Sequence, residues 1–281
     1  MAFAGLRVLS LESRRAKEME ALIVRHGGAP FVAPSVKERA IESNTEVFAW
    51  AERLMAGDFD MTVFMTGTGL TYLRDALTTR YLLPDFVDAL RKTTLVSRGP
   101  KPIVVLHELG LKAQINVPEP NTWREMVPLI SVRPERRITV QEYGKPNTEF
   151  VAALESNGSR VTPLAIYRWE FPDDIGPLEE AVRRIADRAC DVVVFTTSVQ
   201  LVHLLQLAET MGRMKEVMQA LSRDLVIASV GPIMDAALAE RGLEPDIVPP
   251  HPKMGILLRA AAEQSSLALQ KKRSRFVASS R

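Results

Sequence analysis

Short apolar runs separated by amphipathic stretches recur along the whole chain. The runs at 6–11, 62–65, 94–97, 138–141, 192–196 and 225–229 are short, largely apolar and rich in β-branched residues. That pattern predicts strands covered on both faces. Helical periodicity fills 14–26, 70–79, 149–156, 178–189 and 234–241. Gly27-Gly28, Gly110, Gly158 and Gly242 stand where helices should stop. Alternating strands and helices imply parallel sheets with helices on both sides.

The same pattern occurs twice. Arg7-Val8-Leu9 through Gly28 aligns with Arg137-Ile138-Thr139 through Gly158, an offset of 130 residues that places Glu12 on Glu142. Asp60 through Thr66 aligns with Asp191 through Thr197, an offset of 131, and Leu70 and Leu73 fall on Leu201 and Leu204. Ser97-Arg98-Gly99-Pro100 aligns with Ser229-Val230-Gly231-Pro232, an offset of 132. Three blocks in one order at a nearly constant offset point to an internal duplication.

The segments after the second strand of each repeat, Pro34-Ser35-Val36-Lys37-Glu38 and Ala165-Ile166-Tyr167-Arg168-Trp169, are the places where a crossing between domains would make one domain discontinuous. The expected organisation is one discontinuous α/β domain, residues 1–36 plus 169–281, and one continuous α/β domain, residues 37–168.

Composition narrows the class. The 281 residues are 46% hydrophobic and 25% charged, the balance of a globular protein with ample core. A net charge of +2 gives no global reason to expect nucleic acid, so anion binding must rest on local charge. Cys190 is the sole cysteine, which rules out an internal disulfide and suits a reducing cytoplasm. No apolar run reaches the ~18 residues of a membrane helix, and no export signal precedes Glu12. The expectation is a cytoplasmic monomer without membrane or nucleic-acid partners. The basic run Lys271-Lys272-Arg273-Ser274-Arg275 is expected to be a disordered tail.

Ligands of open parallel sheets gather at the carboxyl ends of strands, where helix N-termini favour anions. Thr66-Gly67-Thr68-Gly69 follows one strand and precedes a helix expected near Leu70; it offers two hydroxyls and an approachable backbone, or simply caps the helix. Its repeat mate is Thr196-Thr197-Ser198. Arg98-Gly99-Pro100-Lys101-Pro102 brings two cations to another such position, either as carboxylate anchors or as solvated charges. A third segment, Pro118 through Glu125, offers Asn121 or Thr122 as a cap, with Trp123 and Arg124 beside it. His26, His107, His203 and His251 lack metal-ligand spacing. No P-loop, nucleophile elbow or dinucleotide fingerprint is present.

The order and spacing of Gln141-Glu142-Tyr143-Gly144, Pro146-Asn147, the stretch 161–169 containing Tyr167, the stretch 191–198, Val230-Gly231-Pro232, residues 237–242 and Pro245 through Pro249 resemble the uroporphyrinogen-III synthase family, over residues 6 to about 269. The resemblance implies two flavodoxin-like parallel-sheet domains joined by a two-stranded connector. It also implies a lyase without metal or organic cofactor. Such an enzyme dehydrates hydroxymethylbilane, a polyanionic linear tetrapyrrole with eight carboxylates, and closes it with ring D inverted. Tyr167 aligns with the family's cleft tyrosine and is the expected proton donor, or else a packing residue. Thr197, Ser198, Gly231 and Pro232 match substrate-binding loops, and Thr66, Gly67, Thr68, Arg98 and Lys101 stand in the first-repeat counterparts. The chain departs from the family pattern where threonine is usual, with Pro102 and Ile233, and at Leu11-Glu12-Ser13. These departures leave room for a regulatory or ligand-binding module that keeps the fold without the reaction.

Overall fold

A computed structural model describes residues 2–41, 45–144 and 146–278, with side chains to residue 274. In chain order the elements are β1 (Arg7–Ser10), α1 (Ala16–Arg25), β2 (Ala29–Val32), β3 (Lys37–Ala40), α2 (Thr45–Met55), β4 (Met61–Phe64), α3 (Gly67–Leu77), α4 (Leu83–Arg91) and β5 (Thr94–Ser97). They continue with α5 (Pro100–Glu108), β6 (Ile115–Asn116), α6 (Trp123–Ser131), β7 (Arg137–Gln141), α7 (Thr148–Glu155), β8 (Arg160–Leu164), β9 (Tyr167–Glu170) and α8 (Gly176–Ala186). The last are β10 (Val192–Phe195), α9 (Ser198–Thr210), α10 (Met214–Arg223), β11 (Val226–Ser229), α11 (Pro232–Ala239) and α12 (Met254–Ala278).

The chain forms two compact units, Met1–Lys37 with Glu170–Arg281, and Glu38–Trp169. The first unit holds a sheet of order β11-β10-β1-β2, the second a sheet of order β6-β5-β4-β7-β8, and β3 pairs with β9 where the chain passes between units. Neighbouring strands in both larger sheets run parallel.

The repeats and the units do not coincide. β1 and β2 of the first repeat pair with β10 and β11 of the second, and β7 and β8 of the second repeat pair with β4, β5 and β6 of the first. The register is nevertheless duplicated. Val8 is level with Val192 in one unit, and their repeat mates Ile138 and Met61 are level in the other. An ion pair repeats as well: Arg7 binds Asp191 at 3.0 Å, as Arg137 binds Asp60 at 2.5 Å. Each repeat therefore supplies strands to both sheets, two and two in one and three and two in the other, with a shared register.

Strand alternation fills the core on both faces of each sheet. Leu9, Val193, Phe195 and Ile227 face the side covered by α8, α9, α10 and α11. Val8, Val192, Val194, Val226 and Ala228 face α1 and α12. In the other unit Phe64 and Leu95 face α2, α3, α4 and α5, while Met61, Val63, Val96, Ile138 and Val140 face α6 and α7.

Two expectations need correction. The helix expected from Leu70 begins at Gly67, because the Thr66 hydroxyl caps it by accepting the Gly69 N–H at 3.0 Å. The basic run at 271–275 belongs to α12 rather than to a disordered tail. Lys272 is 8% exposed and binds Asp246 at 2.6 Å, and Arg273 binds Asp191 at 3.3 Å. A run of cations is solvated only when no carboxylates await it; here Leu257, Leu258, Ala261 and Leu269 seat the helix and bring Lys272 to its partner.

Candidate functional site

Four helices begin directly behind strand ends of the two larger sheets with their first turns at the carboxyl edge: α3 after β4, α5 after β5, α9 after β10 and α11 after β11. First-turn N–H groups lack intrahelical acceptors and carry the positive end of the helix dipole. The chain fills two other helix N-termini itself. Glu12 accepts the Arg15 N–H at 3.1 Å and the Thr196 hydroxyl at 2.5 Å, ahead of α1. Its repeat mate Glu142 accepts the Asn147 N–H at 3.2 Å, ahead of α7. Internal carboxylates thus occupy the α1 and α7 starts.

In the Glu38–Trp169 unit, β9 delivers Tyr167 to the start of α3. Its hydroxyl lies 3.3 Å from the Thr66 hydroxyl, and its ring meets Tyr72 edge-on at 5.9 Å. Tyr167 is only 3% exposed, so packing fixes the ring. The glycines of this segment serve packing. A Cβ on Gly67 would come within 2.8 Å of the Lys101 carbonyl, so α3 and α5 touch at their first turns. A Cβ on Gly69 would overlap the Gln141 amide. The sequence reading of an approachable backbone therefore changes at these two positions, where protein fills the space the missing side chains leave. Thr68 sits half-buried between them.

Arg98 follows β5 and its guanidinium lies over the Tyr143 ring at 4.9 Å. Burial lowers the Arg98 pKa, against the pull of Tyr143 and Tyr167. Burial also raises the Tyr143 phenol, with Arg98 opposing. Among the described residues no carboxylate pairs with Arg98. A half-buried guanidinium at a helix N-terminus without such a partner is suited to an incoming carboxylate. Lys101 is exposed on the second residue of α5. The Asn121 side-chain amide donates to the carbonyls of Arg98 at 3.0 Å and Val117 at 2.9 Å, which ties the segment before α6 to the Arg98 turn. Thr122 forms the α6 capping box with Glu125, and Arg124 lies over the Trp123 ring.

The other unit carries Thr197, Ser198, Gly231 and Pro232. Thr197 is the residue before α9, and Ser198 begins the helix. Gln200 accepts the backbone N–H groups of Thr196 at 2.8 Å and Thr197 at 3.4 Å. Gly231 adopts φ 146°, a backbone conformation that side chains resist, and Pro232 opens α11 behind it. Ser229 and its repeat mate Ser97 fold back alike: Ser97 Oγ donates to the Gly99 carbonyl at 2.7 Å, and Ser229 Oγ accepts the Gly231 N–H at 3.3 Å. Ile233 is 47% exposed in the first turn of α11, and Pro102 is buried in α5.

Sequence reasoning missed Gln141, Gln200 and Tyr143 as parts of these sites. Gln200 was within reach of a motif search, since Thr197 and Gln200 have capping-box spacing. Nothing local announces Gln141, which acts on a helix distant in sequence. Among the described residues no group of three or more His, Cys, Asp or Glu could hold a metal ion, and no helix is long and apolar enough to cross a membrane.

Comparison with known proteins agrees with this architecture. The family model described as Uroporphyrinogen-III synthase HemD matches residues 17–259. A putative uroporphyrinogen-III synthase of Methanothermobacter thermautotrophicus is 30% identical over 237 residues, covering 82% of this chain and 87% of that protein. The uncharacterized protein YjjA of Bacillus subtilis is 27% identical over 263 residues, covering 90% and 94%. A crystal structure of a mutant uroporphyrinogen III synthase from Thermus thermophilus superposes with a TM-score of 0.73 at 26% identity, covering 95% of this chain and all of that one. Twinned parallel sheets and a family match across most of the length lead to one conclusion: the chain belongs to the uroporphyrinogen-III synthase family, lyases of tetrapyrrole biosynthesis.

Proposed function

We propose that the chain dehydrates hydroxymethylbilane and closes it, with ring D inverted, to uroporphyrinogen III, and that Tyr167, Thr66 and Arg98 act in the reaction. The observation that carries the residue-level reading is the grouping of a guanidinium without a described carboxylate partner and a phenol held by a helix-capping threonine. Arg98 takes one substrate carboxylate, helped by Lys101 and the first turns of α3 and α5, where Gly67 and Thr68 lie. In the other unit Thr197, Ser198, Gly231 and Pro232 carry the same kind of helix N-terminal groups, suited to a carboxylate.

Thr66 accepts the Gly69 N–H, and either hydroxyl can donate across its contact with Tyr167; in the proposed reaction Thr66 donates to the Tyr167 oxygen. The Tyr167 proton then points away from Thr66, toward the departing hydroxyl. As the carbon–oxygen bond breaks, that proton completes a water molecule. The electrophilic carbon left behind is attacked at the substituted position of ring D, which gives the spiro centre. Fragmentation and reclosure place ring D inverted, and the last pyrrole proton lost restores the phenol. Only water leaves overall, so the sequence calls for no redox partner. The lone Cys190 accords with work in a reducing cytoplasm, and we assign the chain no nucleic-acid partner.

Exposed Ile233, at a position where the family usually has threonine, favours a second reading in which the same site binds a polyanionic pyrrole without turning it over. Hydroxymethylbilane generated in situ tests the two: isomer III above the spontaneous background supports the lyase, and only isomer I supports a binding module.

A further inference from the structure

The two units cap corresponding helices with a glutamine amide that comes from different places in the chain. In α9 the glutamine is Gln200, in the first turn of the helix itself. Its Oε1 accepts the N–H groups of Thr196 and Thr197, and its Nε2 donates to the Thr196 hydroxyl at 2.9 Å. The repeat mate of Gln200 is Gly69, which has no side chain to offer. Gln141, at the end of β7, fills the vacated space instead. It is 2% exposed; its Oε1 accepts the Thr66 N–H at 3.2 Å, and its Nε2 donates to the Glu142 carbonyl. The repeat mate of Gln141 is the apolar Leu11. Glycine and glutamine in one unit thus stand where glutamine and leucine stand in the other, and the amide stays at the helix start.

The exchange has a consequence only at α3, because only there does the capped threonine meet a tyrosine hydroxyl. Thr66 is held from three sides: its N–H by Gln141, its Oγ1 by the Gly69 N–H, and its hydroxyl beside Tyr167. We propose that Gln141 is a positioning residue that acts through Thr66 to set the direction of the Tyr167 hydroxyl. The role rests on the proposed lyase reading for its catalytic meaning, whereas the geometric link stands without it. An amide supplied from β7 couples the start of α3 to the strand that leads into Glu142 and Tyr143. At α9 the link to Glu12 runs instead through the Thr196 hydroxyl, which accepts from Gln200 and donates to Glu12, and it reaches no tyrosine hydroxyl.

The test uses the full chain in three forms: wild type, Gln141→Leu, and Gln141→Leu with Gly69→Gln, which rebuilds the Leu11 and Gln200 arrangement at α3. Two readouts are needed. The first is isomer III formation from bilane generated in situ. Gln141→Leu should lower kcat roughly tenfold with KM within about twofold, the signature of a misdirected donor. The double variant should recover kcat to within about threefold of wild type. The second readout needs no substrate: carbon-13 at tyrosine Cζ, assigned by single Tyr→Phe changes. Gln141→Leu should move the Tyr167 signal and leave Tyr81 in place, and the double variant should return it. An unmoved Tyr167 signal overturns the inference, as does a Tyr167 signal that returns while kcat stays low. If wild type forms no isomer III, the lyase reading falls, and the Tyr167 signal alone still decides whether Gln141 sets that hydroxyl.

Discussion

The hydroxyl oxygens of Thr66 and Tyr167 lie 3.3 Å apart, and the backbone N–H of Gly69 is already donating to Thr66. One lone pair of Thr66 is therefore engaged, and either hydroxyl can donate across the contact; in the proposed reaction Thr66 donates and the phenol proton goes to the substrate. Tyr167→Phe removes that proton and keeps the ring packed on Tyr72. Steady-state assay should show kcat lowered about a hundredfold with KM within about threefold. A kcat within about twofold of wild type makes Tyr167 a packing residue and moves the donor elsewhere.

Arg98 should act on binding. Its guanidinium rests over Tyr143 and has no described carboxylate to leave behind when a substrate carboxylate arrives. A charge-assisted hydrogen bond of about 1.5–3 kcal/mol corresponds to a KM roughly tenfold to a hundredfold higher in Arg98→Ala. Arg98→Lys should fall between, because a lysine keeps the charge and loses the fork. An unchanged KM in Arg98→Ala removes the anchor role.

The twin ion pairs set an acid limit on stability. The side-chain hydrogen bond from Arg7 holds the Asp191 carboxyl below its ordinary value, and Arg137 does the same for Asp60. The unfolded chain binds more protons than the folded one between the lowered and ordinary values. Their stabilisation is complete above the ordinary carboxylate range and fades as pH falls below about 4. Asp191→Asn should cost about 1–3 kcal/mol at pH 7 in denaturant unfolding and flatten the loss of stability toward acid. Asp60→Asn should cost less, since water screens the more exposed pair. Equal acid slopes in wild type and in a chain carrying both Asp191→Asn and Asp60→Asn would contradict this.

Cys190 is buried, and burial pushes its thiol up to about 12. At pH 8 the thiolate is scarce and hidden. An aromatic disulfide reagent should leave the native chain unlabelled over an hour and label one thiol per chain in denaturant. Fast native labelling would show that the unit opens around β10.

Much of the fold is legible in the sequence because its signals are local or repeated. Buried strands announce themselves by short, mostly apolar, β-branched runs, and the offset between Arg7 and Arg137 reflects a shared strand register. The misreadings arise where a residue's fate depends on a distant partner. Lys272 looks solvated until Asp246 is placed beside it. Gly67 and Gly69 look like open backbone until Lys101 and Gln141 are packed against them. The candidate site was legible in part. Tyr167 and Thr66 stand out one at a time, but their meeting depends on β9 returning to α3, and no spacing rule in the sequence encodes that approach.

The most direct measurement is the isomer composition of uroporphyrinogen formed when bilane is released steadily in the presence of increasing amounts of the chain. The account predicts that isomer III rises in proportion to chain concentration until it displaces isomer I, and that Tyr167→Phe at equal concentration leaves isomer I dominant. Isomer I dominant at every concentration of the wild-type chain would contradict it.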